Sequence, residues 1–418
     1  MFFLLRLLPV LLIVSSFSCI QVEARTPQKI IGPHYISLAF HSKEEFRKII
    51  ETGIILDERK ADDRVWAWAT DEDLEYLENQ NFRYMLDTEP GIPKGAEKGY
   101  LTYDDLTAKL KKIVASNPGI MAIESLGKTV KNREIWAVKV SDNVKIDEAE
   151  PEIKYVSTMH GDEVVGQELL VRLLEHIAKN VASDARLQHI INNTEMWLIP
   201  NMNPDGTSLR RRANANSVDL NRDFPDPSSN EPNTPTGRAR ETQNMLAFTD
   251  KHNFILSLNF HGGATVVNYL WDSWAALAPD NNFVVDLAKE YAKENPPMYR
   301  SHQFSNGITN GYQWYSINGG MQDWNYFYYG CMDFTIELDD VKWPDYSRID
   351  ALWSDNLESF LIFAERAKAG AHGIVVDNIT GQPIKASYRI TGIDKTMFTA
   401  LPHGDFHRML LSGRHEAT

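Results

Sequence analysis

Residues 153–179 read IKYVSTMHGDEVVGQELLVRLLEHIAK, and this stretch decides the fold class. Ile153–Met159 is a short, mostly apolar run rich in β-branched and aromatic residues, the pattern of a strand. Glu163–Lys179 repeats its apolar residues at helical spacing, the pattern of an amphipathic helix. A strand that passes through His160-Gly161-Asp162-Glu163 into a long helix is half of a β–α repeat. The alternation extends in both directions. Tyr103–Ala115 reads as a helix, and Met121–Leu126 and Glu134–Val140 as strands. Met196–Pro200, Phe254–Phe260 and Phe334–Leu338 follow as apolar strands, with helices at Arg240–Lys251, Phe283–Ala292 and Ile349–Lys368. The class expected is therefore α/β, a mixed central sheet with helices on both faces.

The flanks differ from this core. Lys29–Glu89 alternates on a smaller scale, with strands at His34–Phe40, Arg64–Ala69 and Phe82–Leu86 and helices at Glu44–Thr52 and Asp71–Asn79. The breaker-rich Gly91-Ile92-Pro93-Lys94-Gly95 then reads as a linker. After Lys368 the pattern becomes all-β, with short strands at Gly373–Asp377, Ala386–Thr391 and Phe406–Leu411. At the other end, Arg6 precedes the apolar run Leu7–Val14, and small and polar residues lead to Ala24. That is the layout of a secretory signal peptide, too short to span a bilayer stably. The division expected is a signal peptide at 1–24, a small α/β unit with its linker at 25–95, a main domain at 96–369 and a β-unit at 370–418. The protein is expected to be exported, extracellular or periplasmic.

The composition excludes several classes of partner. The 418 residues carry a net charge of −14, which opposes binding to nucleic acid or to an anionic membrane. The two cysteines are too few for a disulfide framework or a cysteine-rich metal site. No later apolar run is long enough for a transmembrane helix.

His160 and Glu163, three apart at a strand end, can aim an imidazole and a carboxylate at one cation. The spacing alone decides nothing, since about one such pair arises by chance in a chain of this size. A second pair, His41 and Glu44, sits in the same local context. The rest of the chain separates them. Downstream of His160 lie Asn203-Pro204-Asp205-Gly206, then Arg212, then Val218-Asp219-Leu220-Asn221-Arg222. Leu258-Asn259-Phe260-His261-Gly262-Gly263 comes next, followed by Trp314-Tyr315 through Gly319-Gly320-Met321-Gln322-Asp323-Trp324 and Phe334-Thr335-Ile336-Glu337-Leu338.

With these motifs in this order, the sequence resembles the zinc carboxypeptidase family of carboxypeptidase A. It is most similar to the branch that holds carboxypeptidases E, N, D and M, and the likeness runs from about Tyr100 to Ala367. The resemblance implies the zinc carboxypeptidase fold and one Zn2+ per chain, held by His160, Glu163 and His261. It also implies Glu337 as general base, against a structural reading in which that carboxylate only pairs with a cation. Arg212 matches the oxyanion-stabilising arginine; Arg210 and Arg211 adjoin it, and the count back from Asn221-Arg222 selects Arg212. Asn221, Arg222 and Tyr315 match a clamp for the substrate's terminal carboxylate, although Tyr315 also fits an aromatic core. Asp219 matches a partner of a metal-bound imidazole, or else caps a turn. In this branch an Asp eleven residues beyond the distal histidine binds a basic side chain, and here that residue is Asp272. Gln322 matches the pocket floor. Leu270-Trp271 departs from the Pro-Phe that relatives carry there.

The resemblance thus implies hydrolysis of the last peptide bond of peptides or proteins, with preference for C-terminal Arg or Lys. Two other readings are a zinc peptidase acting on cell-wall peptides and an inactive peptide-binding relative. The segment from Gly373 resembles the start of a transthyretin-like β-sandwich, here partial: a fragment, or a degenerate domain. Lys29–Glu89 is expected to be either a pro-segment released near Lys94 or Lys98, or a fixed structural subdomain.

Overall fold

The computed structural model describes residues 30–61, 63–89 and 98–418. The signal-peptide reading and the linker at 91–95 lie outside the described residues.

Near the N-terminus, strands β1 (His34–Ala39), β2 (Ile55–Ala61), β3 (Arg64–Ala69) and β4 (Tyr84–Leu86) form an antiparallel sheet of order β2-β3-β1-β4. Helices Lys43–Glu51 and Asp71–Asn79 connect them. Each starts on a side-chain cap, Ser42 Oγ accepting from the Glu45 N–H and Thr70 forming a reciprocal capping box with Asp73. The period of two divides the sheet's faces. Ile36, Leu38, Leu56, Val65 and Ala67 pack on the helices, while Tyr35, Ile55 and Trp68 gather on the other face. Strand β2 was missed in the sequence reading because Asp57-Glu58-Arg59-Lys60 reads as a solvated turn. Among the described residues β2 lies at the edge of its sheet, with a strand partner on one side only.

The central sheet has eight strands: β5 (Met121–Lys128), β6 (Glu134–Val140), β7 (Glu152–Ser157), β8 (Glu195–Ile199), β9 (Phe254–His261), β10 (Ala264–Tyr269), β11 (Ile308–Asn310) and β12 (Met332–Asp339). Their order is β11-β10-β12-β9-β7-β8-β6-β5. The inner four, β12, β9, β7 and β8, run parallel, and β10 and β6 flank them antiparallel. Every residue of the inner four is buried, which explains why they read as mostly apolar runs. Alternate residues feed two cores, with Ile153, Tyr155 and Leu198 on one face and Val156, Trp197 and Ile199 on the other. Helices cover both faces, as expected.

Two strands of this sheet, β10 and β11, were not legible in the sequence. β10 follows β9 after only Gly262-Gly263, yet it pairs with β12 instead, so β12 enters between two strands that are consecutive in the chain. The chain leaves β7 toward β8 on one side, and β9 lies on the other. That is a topological switch point, where an open α/β sheet leaves a crevice at the carboxyl ends of its strands.

The tail forms two antiparallel ribbons, β13 (Ala371–Ile374) with β16 (Asp405–Arg408) and β14 (Ser387–Ile390) with β15 (Ile393–Phe398). Among the described residues no strand pairing joins the two ribbons into one sheet.

Close approach fixes the helix Val165–Asn180 against the sheet. A Cβ on Gly166 would lie 2.3 Å from Ser157 Oγ and 2.7 Å from Phe260 Cβ. Gly166→Ala is therefore expected to lose more in packing than it gains in helix propensity, a net destabilisation of about 1–2 kcal/mol. The urea unfolding midpoint reads this directly, and an unchanged midpoint would contradict it.

Candidate active site

His160 stands just past β7, and His261 is the last residue of β9. The helix begins at Val165 and not at Glu163, so Glu163 lies on the preceding turn, where its N–H reaches back to the His160 carbonyl. Gly161 lets that turn sit on neighbouring backbone, since a Cβ there would meet the Gly206 carbonyl carbon at 2.2 Å. Its N–H donates to the Arg212 carbonyl at 3.0 Å, which ties the turn to the next polar cluster.

These elements bring three donors to one point. Glu163 Oε2 is 3.0 Å from His160 Nδ1 and 2.9 Å from His261 Nδ1, and the two Nδ1 atoms are 3.1 Å apart. All three side chains are buried. Two imidazole nitrogens and a carboxylate oxygen converging in a site closed to solvent match the ligand chemistry of zinc. The other nitrogen of His160, Nε2, faces Asp219 Oδ1 at 3.1 Å, so the N–H sits there and the Nδ1 lone pair is left for the metal. Asp219 also accepts from Arg212 Nε at 3.1 Å and from the Asn221 N–H at 2.9 Å. Burial pushes its carboxyl up, but Arg212 and His160 together hold it well below the usual carboxylate range. Asp219 therefore both caps a turn and orients His160. A second acidic group, Asp142 with Glu148 and Glu150, is partly open to solvent and carries no imidazole.

The remaining candidate residues surround this centre. Glu337 is buried on β12, directly opposite His261 in the parallel ladder. Arg212 is buried as well, its Nη1 3.5 Å from Glu163 Oε1. Asp272, Asn221, Tyr315, His261 and Glu337 line one small cavity, together with Asn268 and Thr335. At its floor, Asp272 Oδ1 accepts from Asn268 Nδ2 at 2.9 Å and from Gln322 Nε2 at 3.1 Å. Burial, with the nearby charge of Asp323, pushes the Asp272 carboxyl well above its usual range. Arg222 faces a larger groove of about 700 Å³ that runs between Tyr312–Asn318 and the N-terminal helix Lys43–Glu51.

The structure brings every residue singled out for this site into one region and leaves the decoy out. His41 lies on the surface, its N–H bonded to Glu45, and Glu44 pairs with Lys48. Sequence reasoning missed several neighbours. Asn268 and Thr335 line the cavity, and Asp323 holds the Asp272 and Ser273 N–H groups at 2.9 and 2.8 Å. Lys342 was missed too; its Nζ lies 3.4 Å from Glu163 Oε1. The N-terminal sheet turns Trp68 toward the site, with its ring 5.1 Å from the Arg212 guanidinium and 5.3 Å from Lys342 Nζ. Asp57 pairs with Lys342 at 3.4 Å. For Lys342 and Trp68 no spacing pattern in the sequence carried a signal.

The family model for zinc carboxypeptidases matches residues 106–359. The chain belongs to the zinc carboxypeptidase family. The family's zinc has its candidate site at His160, Glu163 and His261. Carboxypeptidase SOL1 of Arabidopsis thaliana is 39% identical over 332 residues, covering 77% of this chain and 67% of that protein. The catalytic chain of carboxypeptidase N of Homo sapiens is 33% identical over 357 residues, covering 74% of this chain and 78% of that one. Carboxypeptidase D of Homo sapiens is 36% identical over 344 residues, 76% of this chain but 24% of that protein. The chain thus spans about a quarter of the length of carboxypeptidase D. Among solved structures, carboxypeptidase A from Helicoverpa armigera superposes with a TM-score of 0.65 at 16% identity, over 81% of this chain and 98% of that one, a likeness of fold.

Because Asp219 orients His160, Asp219→Asn is expected to weaken zinc binding about 10- to 100-fold. Competition against a chelator measures this, and an unchanged affinity would leave Asp219 with the turn alone.

Proposed function

We propose that this family member is an exported exopeptidase that removes C-terminal Arg or Lys from peptides and proteins. The observation that carries the specificity is Asp272, a buried carboxylate held by Asn268 and Gln322 in the same cavity as His261 and Glu337. A buried charge is costly without a partner. A Lys or Arg side chain in this cavity supplies the missing cation and draws the Asp272 proton off. The family likeness to carboxypeptidases D and N supports the same substrate class.

In this reading the substrate's terminal carboxylate pairs with Arg222, whose planar guanidinium matches it with two parallel hydrogen bonds. Asn221 and Tyr315 complete the clamp. Glu337 takes a proton from the attacking water as its oxygen adds to the scissile carbonyl carbon, and returns that proton to the departing amine as the C–N bond breaks. Arg212 faces the charge that develops on the carbonyl oxygen. When bound, zinc supplies Lewis acidity toward the carbonyl and the water. Export rests on the Leu7–Val14 run and Ala24. No described helix is long and apolar enough to cross a membrane.

The zinc-loaded protein is expected to prefer a peptide ending in Arg over the same peptide ending in Phe. Asp272→Ala should lower kcat/KM for the Arg peptide at least about 30-fold and leave the Phe peptide nearly unchanged, as loss of a desolvated charge partner costs about 2–5 kcal/mol. Selectivity that survives Asp272→Ala would refute the basic pocket.

The N-terminal unit reads as a removable cap. Trp68 covers the two cations beside Glu163, Asp57 engages one of them, and the Ile31 N–H bonds the Ser217 carbonyl on the loop between Arg212 and Asp219. A substrate needs that space. Cleavage after the exposed Lys98 should raise activity at least about 10-fold, and Trp68→Ala should raise it in the uncut chain by weakening the cation–π contacts. Equal rates for cut, uncut and Trp68→Ala proteins would make the unit a fixed structural part.

A further inference from the structure

Asp272 does not hold its own position. Its N–H and that of Ser273 are fixed by Asp323, and its Oδ1 by Gln322. Both partners lie on one short helix, Met321–Trp324, which runs directly into a five-residue π-helical turn, Asn325–Tyr329. That turn is gripped from below by the main sheet. Asn325 Oδ1 accepts from Lys154 on β7, and Asn325 Nδ2 donates to Asp333 on β12.

From the other side it is gripped by the C-terminal ribbons. Lys395 on β15 donates to the Phe327 carbonyl at 2.7 Å, with its Nζ 5.2 Å from the Tyr326 ring. Met397 on the same strand closes over Gly330, where a Cβ would meet its Sδ at 2.3 Å. Arg408 on β16 binds Asp280 at 2.6 Å, and the other Asp280 oxygen accepts from Tyr326 Oη at 2.6 Å. Both side chains of that ion pair are almost fully buried. The Tyr326 ring in turn packs edge-on against Trp271, at 5.1 Å between centroids, and Trp271 adjoins Asp272. A buried ion pair, an ammonium on a carbonyl and an aromatic contact thus link the ribbons to the residues that frame the Asp272 carboxylate.

We propose that Arg408 and Lys395 are positioning residues for substrate selectivity. The C-terminal ribbons set the register of Met321–Tyr329, and through Tyr326–Trp271 and Asp323 they hold Asp272 where a basic side chain ends. The inference rests on the basic-pocket reading above. Its physical basis is that a charge partner must be held to within a fraction of an ångström by its supporting shell. Among the described residues the metal ligands, past β7, on the turn before Val165 and at the end of β9, and Glu337 on β12 make no hydrogen bond or ion pair with Arg408 or Lys395, so chemistry and selectivity should separate.

The test uses the zinc-loaded full chain, assayed before and after cleavage at Lys98, with peptides ending in Arg and in Phe. Lys395→Met keeps the apolar stem and removes the ammonium. It is expected to raise KM for the Arg peptide about 5-fold, with kcat, zinc content and kcat/KM for the Phe peptide within 2-fold of wild type. Arg408→Met should raise that KM further, about 10-fold, and Arg408→Lys should recover most of it. If Arg408→Met does not fold, the Lys395→Met result decides. Unchanged KM values and unchanged Arg-over-Phe preference, with only a lower Tm, would overturn the inference and leave the ribbons a stabilising role. A wild-type enzyme with no preference for Arg would instead refute the basic pocket itself, and this inference with it.

Discussion

The site is organised around the two oxygens of one buried carboxylate. Glu163 turns Oε2 toward His160 and His261, and Oε1 toward Arg212 and Lys342. An ionised carboxylate out of reach of water is tolerable only when its surroundings return the lost solvation. Here both oxygens lie within 3.1 Å of His160 Nδ1, Oε2 also facing His261 and Oε1 also facing the two cations. The sheet makes this arrangement possible. The crevice between β7 and β9 opens at the switch point, so side chains from two strand ends and from the Arg212–Asp219 loop enter from different directions.

Much of this was legible in the sequence, and for a physical reason. Strands β7, β8, β9 and β12 are buried on both faces, so their residues read as apolar runs that stop where the polar site residues begin. Strands β2, β10 and β11 were not legible because each breaks that rule. β2 carries Asp57-Glu58-Arg59-Lys60 at an edge, β11 has only three residues, and β10 follows two glycines that look like the turn of a hairpin that never forms. Among side chains, His160 could not be told from His41 by local context, and only the downstream clusters separated them. Lys342 and Asp57 illustrate the opposite limit. Each is an ordinary charged residue in its own neighbourhood, and their meaning appears only when the N-terminal sheet lies across the strand ends.

The chain's negative charge acquires a local meaning as well. Part of it lies beneath the surface, at Asp272, Asp323 and Asp333, three carboxyls that burial pushes up and so toward the neutral form. Of these, Asp272 alone lines the small cavity beside His261 and Glu337. Asp333 is occupied with Asn325, and Asp323 with the backbone of residues 272 and 273. In the proposed basic pocket, the acid that lines the cavity is the one through which a substrate's cation would change the balance of charge.

The placement of β12 has a consequence for how the molecule matures. Its two neighbours are synthesised first and are joined by two glycines, yet they must stand apart until β12 arrives to fill the gap. Glu337 comes opposite His261 only on that arrival. A nascent chain emerging from the ribosome thus carries both imidazoles well before it carries Glu337. Long-range pairing of this kind is among the slower steps of folding. The two imidazoles therefore gain their facing carboxylate only when this last central strand is threaded.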